Sequence, residues 1–429
     1  MNPFSKSLLN DIQNYKIQNL DLEDEFIHPN YLDQSIYNVP SSICKLLNVP
    51  EMGSPSLRKD ILEPLGEGIE NVIFILADAV AFHRIENWMN ENESLVWNRF
   101  RDSGVFAPLT SVSPSTTSAA TTTFWTGSPP AQHGIAGYEV WLREYGVTAN
   151  MILHRPITYR GGNAGLELAG FAPETFLPVD KFGTHLEAHG VAAHSFQHYS
   201  ISNSGLSNSF LQDASLHGTS TLPDVWISLR EMLESSKGQK TYSWVYWGDY
   251  DGSAHFFGPD AERPVADFKN FSDSFEEYFL GRISSELKEG TVVILGADHG
   301  QITTDKEEDH FDLNNHPEFT DLLHMNPTGE NRLAYLHVRP GKEDEVLAYI
   351  EKAWPEQFSV LKSEDALANG LFGPGPFHEN MKSRIGDLTL IAKGDAFLWW
   401  ANKPNPISGR HGGLSAEEMI VPFLAARLD

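Results

Sequence analysis

The sequence predicts an α/β fold with a mainly parallel central sheet and helices on both faces. Two short apolar runs carry this prediction, NVIFILA at 71–77 and TVVILG at 291–296, because β-branched runs between polar segments are typical of buried parallel strands. A third observation is that strand-like and helix-like segments alternate along the chain. With 429 residues, 41% of them hydrophobic, the chain can bury a large core in two or three structural units.

The elements of the main domain are predicted in order from residue 71. Residues 83–100 place apolar side chains on one helical face after the first strand. TYSWVYW at 241–247 predicts another strand, and 264–288 predicts another helix. MIVPFLA at 419–425 predicts the last strand.

Two further units flank or interrupt this domain. Residues 1–70 are polar and interrupted by prolines, which predicts an irregular N-terminal extension packed on the core. Segments 333–338, 343–354 and 387–392 indicate a small strand–helix–strand unit. We therefore predict an extension at 1–70, a main domain at 71–311 and 396–429, and an inserted α+β cap at 312–395.

Composition excludes several classes of function. Lys and Arg number 31 against 58 Asp and Glu, a net charge of -27, which disfavours binding to nucleic-acid polymers or anionic membranes. A small phosphate-bearing substrate remains compatible with this charge, since a bound cation can invert the local field.

Cys44 is the single cysteine, so neither an intrachain disulfide nor a cysteine-based zinc site is predicted. No signal peptide and no apolar run of about 18 residues is seen, which predicts a cytoplasmic protein. The oligomeric state stays open.

Acidic residues and histidines follow the predicted strands. Asp78 follows the first strand, and Asp298 and His299 follow the strand at 291–296. Ligands of open α/β sheets bind beyond the carboxyl ends of the strands. Asp78 alone is equally compatible with a helix N-cap or a turn, whereas a carboxylate beside an imidazole is a stronger indication of a metal site.

Three more candidate ligands lie further along the chain. Asp251 and His255 are four residues apart, so they share one face of a helical turn. His411 lies in the turn SGRHGGLS. Each of these features alone is more typical of a surface pair or a loop histidine.

A Ser/Thr-rich segment contains candidate hydroxyl nucleophiles. Residues 110–123, TSVSPSTTSAATTT, have the composition of a linker. However, they continue directly into FWTGSPPAQHGIAGY, a segment whose composition is typical of folded structure. Three aspartates, three histidines and a threonine would suffice for two adjacent divalent ions. Nitrogen and oxygen ligands without thiolate favour Zn²⁺, with Mn²⁺ or Fe as alternatives.

In this order the motifs resemble the alkaline phosphatase superfamily, and most closely its type I phosphodiesterase/nucleotide pyrophosphatase branch, over residues 71–429. The family's nucleophile lies nine residues before a Thr-Gly pair and sixteen before a His-Gly pair, and both distances identify Thr117. DGSAHFFGP, ADHG and GRHGG match the other motifs. The resemblance implies an alkaline phosphatase-like fold. It also implies one ion held by Asp251, His255 and His411, and a second held by Asp78, Asp298, His299 and the Thr117 oxygen.

The implied activity is two-metal hydrolysis of a small phosphate ester through a phosphothreonine intermediate, with a diester or pyrophosphate favoured over a monoester. Thr116, Ser115 and Ser118 are local rivals of Thr117. Tyr138 stands where nucleotide-hydrolysing members have an asparagine, so it is either a substrate contact or a core aromatic.

Several alternatives remain. A phosphomonoesterase or phosphonate hydrolase could use the same site, and a non-catalytic homologue could bind metal alone. A sulfatase is disfavoured because no arginine lies between 102 and 142. A monoesterase would need an added cation, for which the candidates are Arg143, Arg155, Arg160, Arg332 and Arg384. Residues 155–235, Gly-rich near 161–165, and the cap are predicted to wall the substrate pocket.

Overall fold

The computed structural model describes residues 2–158, 165–202 and 204–429. Arg160 and most of the glycine-rich stretch at 161–165 therefore lie outside the described residues. None of the described helices is both long and apolar enough to cross a bilayer.

The described strands form two seven-stranded sheets and a two-stranded ribbon. In chain order they are β1 Asn71–Ala77, β2 Val105–Thr110, β3 Glu139–Leu142, β4 Val147–Asn150, β5 Arg155–Pro156, β6 Val191–His198, β7 Ala214–Thr219, β8 Lys240–Trp247, β9 Thr291–Gly296, β10 Ile302–Thr303, β11 Thr328–Gly329, β12 Leu333–Leu336, β13 Phe358–Lys362, β14 Leu388–Ala392, β15 Gly409–Arg410 and β16 Ile420–Arg427.

The α-helices are distributed along the whole described chain. They are α1 Pro3–Asn14, α2 Val39–Leu46, α3 Lys59–Leu62, α4 Phe82–Glu91, α5 Trp97–Ser103, α6 Thr117–Thr126, α7 Pro130–His133, α8 Pro173–Phe176, α9 Phe182–Ala188, α10 Gly205–Phe210, α11 Leu222–Ser235, α12 Asp249–Phe257, α13 Glu262–Phe275, α14 Ser285–Lys288, α15 Pro317–Thr320, α16 Glu343–Ala353, α17 Ser363–Ala368, α18 Met381–Arg384 and α19 Ala416–Met419.

The first sheet has the strand order β2-β16-β9-β1-β8-β6-β7 and confirms the predicted mainly parallel architecture. The central strand β1 pairs in parallel with both β8 and β9. Only β16 is antiparallel, and it lies between β2 and β9. Every residue of β1 and β9 is buried, as their apolar sequences predict.

The second sheet, β13-β14-β12-β11-β3-β4-β5, is antiparallel. Strands β11–β14 come from residues 328–392, within the segment predicted as a cap. The bridge between Gly329 and Glu139 joins them to β3, so residues 139–156 complete this sheet. The sheet thus draws on more of the chain than 312–395, and the proposed domain boundaries stay a prediction.

Two helices differ from their predicted extents. The segment 83–100 forms α4 and α5 with a break between them, because the Asn98 side chain donates to the Asn92 carbonyl and the Asn92 side chain accepts from Ser94 N–H. The segment 264–288 forms α13, a wider π-helical turn and then α14. Phe271 and Phe275 of α13 are buried and stack against Trp97 in the core.

The N-terminal segment contacts both strand β2 of the first sheet and the chain at Leu371. The Ser5 hydroxyl of α1 donates to the Phe106 carbonyl of β2. The Tyr31 hydroxyl donates to the Leu371 carbonyl at 3.0 Å and accepts from Ser113 N–H at 3.2 Å. These contacts place the segment directly against the loop that leads to Thr117.

Candidate metal centre

The predicted ligands meet at the carboxyl ends of three neighbouring strands, β9, β1 and β8. Asp78 follows β1 directly, Asp298 lies two residues beyond β9, and Asp251 lies in the first turn of α12 after β8. Because these strands are parallel and adjacent, their ends bring the three carboxylates to one edge of the sheet.

The first cluster consists of Asp78, Asp298 and His299, whose ligand atoms lie within 4.8 Å of one another. His299 Nε2 is 3.4 Å from Asp78 Oδ1 and 3.5 Å from Asp298 Oδ2. Thr117 Oγ1 lies 3.1 Å from the same His299 nitrogen. The hydroxyl predicted as nucleophile is therefore at this cluster.

The second cluster consists of Asp251, His299 and His411, again with ligand atoms within 4.8 Å. His255 joins it, since its Nε2 is 3.4 Å from Asp251 Oδ1. His411 Nε2 is 3.9 Å from the same oxygen. All six predicted ligands and Thr117 are thus brought together, and His299 is common to both clusters.

Three titratable groups of this centre have shifted pKa values. Burial raises the pKa of Asp78 well above its usual range, and the carboxylates of Asp298 and Asp251 raise it further. Burial likewise raises the pKa of Asp298. Burial and the neighbouring His299 and His255 lower the pKa of His411 well below its usual value. Such perturbed groups are typical of a functional site.

The free ligand atoms fit divalent cations. Asp78 Oδ1 and Asp298 Oδ2 are buried, and neither has a hydrogen-bond partner in the part of the chain that the structure describes. Unpaired buried carboxylate oxygens are costly unless a cation compensates them. Carboxylate oxygens combined with imidazole nitrogens suit Zn²⁺, Mn²⁺ or Fe.

Backbone carbonyls orient all three imidazoles, and His299 Nδ1 lies 3.0 Å from the Gly300 carbonyl. His255 Nδ1 lies 2.7 Å from the Gly409 carbonyl, and His411 Nδ1 lies 3.2 Å from the Ser115 carbonyl. An Nδ1–H that donates to a carbonyl leaves the Nε2 lone pair free, and Nε2 is the atom that faces Asp251.

Two residues that donate hydrogen bonds to the candidate ligands were not predicted from the sequence. Gln301 Nε2 donates to Asp251 Oδ1 at 2.5 Å, and the Tyr246 hydroxyl donates to Asp78 Oδ2. Gln301 follows the ADHG motif directly, which could have singled it out. Tyr246 is opposite Leu76 in the β1–β8 register, a relation that only the sheet pairing reveals.

Thr117 differs from its local rivals in where its hydroxyl lies. It begins α6, where helix N–H groups have no intrahelical partner and the positive end of the helix dipole lies. Ser115 Oγ instead donates to the Gly413 carbonyl at 2.7 Å. Ser118 Oγ is buried without a partner among the described residues, and the Thr116 side chain lies near Glu330.

A cavity of about 490 Å³ opens onto this centre, with Thr117, Asp251, His255 and His411 in its wall. Other lining residues include Tyr138, Phe256, Glu330 and Trp399. Tyr138 is 40% exposed, so it lies on the cavity wall and is not a core aromatic.

Both segments predicted to wall the pocket contribute to cavities at Thr117. Gly329 to Asn331 line the large cavity. Gln197, Ile201 and Leu206 line a smaller cavity of about 80 Å³ that Thr117 also borders. Lys403 is the one Lys or Arg among the described residues of the large cavity's wall. Glu330 was not predicted as a site residue, because the surrounding segment PTGENR matches none of the motifs.

Comparison with known proteins agrees with this geometry. The family model described as type I phosphodiesterase/nucleotide pyrophosphatase matches residues 72–414. No curated protein sequence matches the chain significantly.

Solved structures share the fold. An inactive threonine-to-alanine variant of murine ectonucleotide pyrophosphatase/phosphodiesterase 5 in complex with AMP has a TM-score of 0.60 and 18% identity, covering 83% of this chain and 87% of that one. The human protein of the same name has a TM-score of 0.57, 17% identity and coverages of 83% and 87%.

A phosphonate-cleaving enzyme also shares it. Phosphonoacetate hydrolase from Sinorhizobium meliloti 1021, in complex with phosphonoformate, has a TM-score of 0.57 and 17% identity, covering 84% of this chain and 91% of that one. The resemblance seen in the motifs is therefore confirmed: the chain belongs to the type I phosphodiesterase/nucleotide pyrophosphatase family of the alkaline phosphatase superfamily, a metal-dependent family of hydrolases that act on phosphoric ester bonds.

Proposed function

We propose that this chain hydrolyses a phosphodiester or pyrophosphate bond of a small substrate, with Thr117 as nucleophile. The observation that carries the proposal is the position of Thr117 Oγ1, 3.1 Å from His299 Nε2, at the point where the two acidic clusters share a residue. The hydroxyl also borders the large cavity, so a substrate in that cavity can reach it.

Two divalent ions, most favourably Zn²⁺, complete the proposed site. Asp251, His255 and His411 would hold one ion, and Asp78, Asp298, His299 and the Thr117 oxygen would hold the other. The unpaired oxygens of Asp78 and Asp298 support this assignment. When bound, such ions activate a hydroxyl and stabilise negative charge on the attacking and leaving oxygens.

The chemistry consists of two displacements at phosphorus. Thr117 Oγ1 loses its proton and forms a bond to phosphorus as the bond to the leaving alcohol or phosphate breaks, giving a phosphothreonine, and the leaving oxygen takes up a proton. Water then forms a bond to phosphorus as the bond between Thr117 Oγ1 and phosphorus breaks, and one proton of that water returns to Thr117 Oγ1. The chain contributes positioning and charge compensation. The murine neighbour, described as inactive with threonine replaced by alanine, supports a threonine in this role.

Phosphonate hydrolysis is a second candidate. It is supported by the similarity to phosphonoacetate hydrolase, which the chain matches over 91% of that enzyme's length. The two candidates share the centre and differ in the bond that is cleaved, so one set of assays separates them.

The test compares hydrolysis of bis(4-nitrophenyl) phosphate, 4-nitrophenyl phosphate and phosphonoacetate by the metal-loaded protein and by Thr117→Ala. We expect the diester to be preferred and the variant to lose activity by on the order of 10³-fold or more. Thr126→Ala is the matched control, because Thr126 is buried at the other end of α6, where its hydroxyl donates to the Thr122 carbonyl. It should keep activity within a few-fold.

Each outcome of this test is informative. Full activity in Thr117→Ala would remove it as the nucleophile. Preference for the monoester or the phosphonate would replace the proposed substrate class. A protein that binds metal stoichiometrically but turns over none of the three compounds would be a non-catalytic homologue.

A further inference from the structure

Glu330 is a buried carboxyl group in the wall of the large cavity. Its side chain is 8% exposed, and its Oε1 accepts a hydrogen bond from Tyr138 N–H at 2.6 Å. Burial raises the pKa of this carboxyl, and the nearby Thr116 side chain partly opposes that shift. A carboxylate that is buried this deeply usually has a cationic partner, because burial without one is costly.

The arginine nearest to Glu330 in sequence is engaged elsewhere. Arg332 donates to both oxygens of Glu418, at 2.8 and 3.0 Å. No ion pair that the structure describes joins Glu330 to Lys or Arg, so when it is ionised its charge faces the cavity without a counter-ion from the described chain.

Glu330 also lies close to the reacting groups. Thr116, which lies near Glu330 in the wall of the same cavity, directly precedes Thr117. Gly412 directly follows His411, and a Cβ placed on Gly412 would be only 2.4 Å from Glu330 Cβ. The carboxyl group therefore lies between the start of α6 and the His411 loop, in the wall of the cavity that Thr117 also borders.

A negative charge on Glu330 would act differently on phosphate esters that carry one negative charge and on those that carry two. A phosphodiester carries one negative charge, whereas a phosphomonoester carries two at alkaline pH. A carboxylate beside the phosphoryl group repels the dianion more strongly than the monoanion. Lys403, the one cation among the described lining residues, is exposed and close to Glu139, so it does not offset Glu330.

We propose that Glu330 is a specificity-determining residue that discriminates against dianionic monoesters and so restricts the site to monoanionic diesters. This inference rests on the proposed hydrolysis at Thr117 and identifies the substrate class of that site. Glu330 touches neither reacting oxygen in this role, and it acts through the field that it creates at the phosphoryl group.

The test measures kcat/KM for bis(4-nitrophenyl) phosphate and 4-nitrophenyl phosphate with Glu330→Gln at pH 9. Burial raises the pKa of this carboxyl to about 8, so pH 9 keeps the wild-type group ionised. We expect the monoester-to-diester ratio of kcat/KM to rise on the order of 10-fold or more, mainly through the monoester. Glutamine keeps an oxygen that can accept from Tyr138 N–H.

Glu139→Gln is the matched control in the same cavity. Its carboxylate accepts from Trp400 Nε1 at 2.8 Å and does not contact the start of α6. It should keep the ratio within threefold. An equal rise in both variants would mean that the overall charge of the cavity, not Glu330, sets the preference.

Further variants keep the inference falsifiable. Glu330→Asp retains the charge and should retain the low ratio, while Glu330→Ala should raise the ratio if Glu330→Gln does not fold. An unchanged ratio in folded, metal-loaded Glu330→Gln, with diester hydrolysis still dependent on Thr117, would overturn this inference alone. Absence of diester hydrolysis in the wild type would overturn the proposed function itself.

Discussion

At the scale of single residues, the centre is held in place by its surroundings before any ligand binds. The Gly409 and Ser115 carbonyls fix the rings of His255 and His411. The Tyr246 hydroxyl fixes one oxygen of Asp78 and leaves the other free. Because these partners are set by the fold, little reorganisation accompanies binding, which favours both affinity and catalysis.

Gln301 provides a test of this preorganisation. Replacing it with methionine, Gln301→Met, keeps the volume of the side chain but removes the donor to Asp251. We expect metal affinity to fall by about 10- to 100-fold, the usual effect of losing a partner of a metal ligand. Competition with a chromophoric chelator measures it.

The control is Gln132→Met, since Gln132 donates to the Pro374 and Gly375 carbonyls in a separate, exposed position. It should leave the affinity unchanged. An unaltered affinity in Gln301→Met would mean that Asp251 is positioned without Gln301.

The candidate metal ligands could be predicted from the sequence, whereas the residues that surround them could not. Asp78 and Asp298 could be found because each follows a recognisable strand, and Asp251 because it stands four residues before His255 in DGSAHFFGP. Tyr246 and Glu330 could not, since their neighbours are distant along the chain and are joined only by strand pairing and by the second sheet. Their roles depend on long-range packing that no local pattern encodes.

At the scale of elements, one buried ion pair links the second sheet to the loop that carries His411. Arg332 immediately precedes β12, and Glu418 lies in α19. Their side chains are fully buried, and Glu418 also accepts from Gly413 N–H at 2.8 Å. Movement of the second sheet would therefore be transmitted to the segment beside His411.

Removing one partner of this pair should be costly. In Arg332→Met, the Glu418 carboxylate is left buried without its cation, and we expect a loss of about 3–5 kcal/mol in the free energy of unfolding. Denaturant titration of the metal-free protein measures it. The double variant with Glu418→Leu should recover part of the loss, because it removes the unpaired charge. A loss below about 1 kcal/mol in the single variant would contradict this account.

Element types were predictable where one local property dominated. The apolar runs of β1 and β9 identified both strands with correct bounds. The segment 83–100 was interrupted because Asn92 and Asn98 form side-chain hydrogen bonds that end one helix and begin the next. Strands β3–β5 were missed, since they are short and pair with a sheet whose other strands lie some 180 residues further on.

At the scale of the whole molecule, several histidines are buried in their neutral form, which makes the fold sensitive to acid. His154 is fully buried against Phe171 and Phe176, and neither ring nitrogen has a partner among the described residues. Burial lowers its pKa to about 3. The unfolded chain binds a proton near pH 6.5, so this residue's contribution to stability is present above that pH and is lost as the pH falls toward 3.

His154→Asn tests the contribution. Asparagine tolerates the positive φ of 47° at this position, but it loses the ring contacts, so the variant should be less stable at pH 7.5. The difference from the wild type should shrink by about 2 kcal/mol at pH 5, at about 1.4 kcal/mol per pH unit below 6.5. Urea unfolding of the metal-free proteins at both pH values measures it.

His189→Asn serves as control, because His189 is exposed. A difference between wild type and His154→Asn that stays constant from pH 7.5 to 5 would show that His154 is protonated in the folded protein as readily as in the unfolded one.

The position of β16 in the first sheet governs how this chain can fold. β16 lies between β2 and β9, and its partner β2 precedes it by about three hundred residues. During synthesis, β2 and β9 expose unpaired edges until residues 420–427 have left the ribosome, and pairings between such distant segments form slowly. The sheet that carries the proposed metal ligands can therefore close only late, and a nascent chain interrupted before residue 420 leaves two hydrophobic strands available for aggregation.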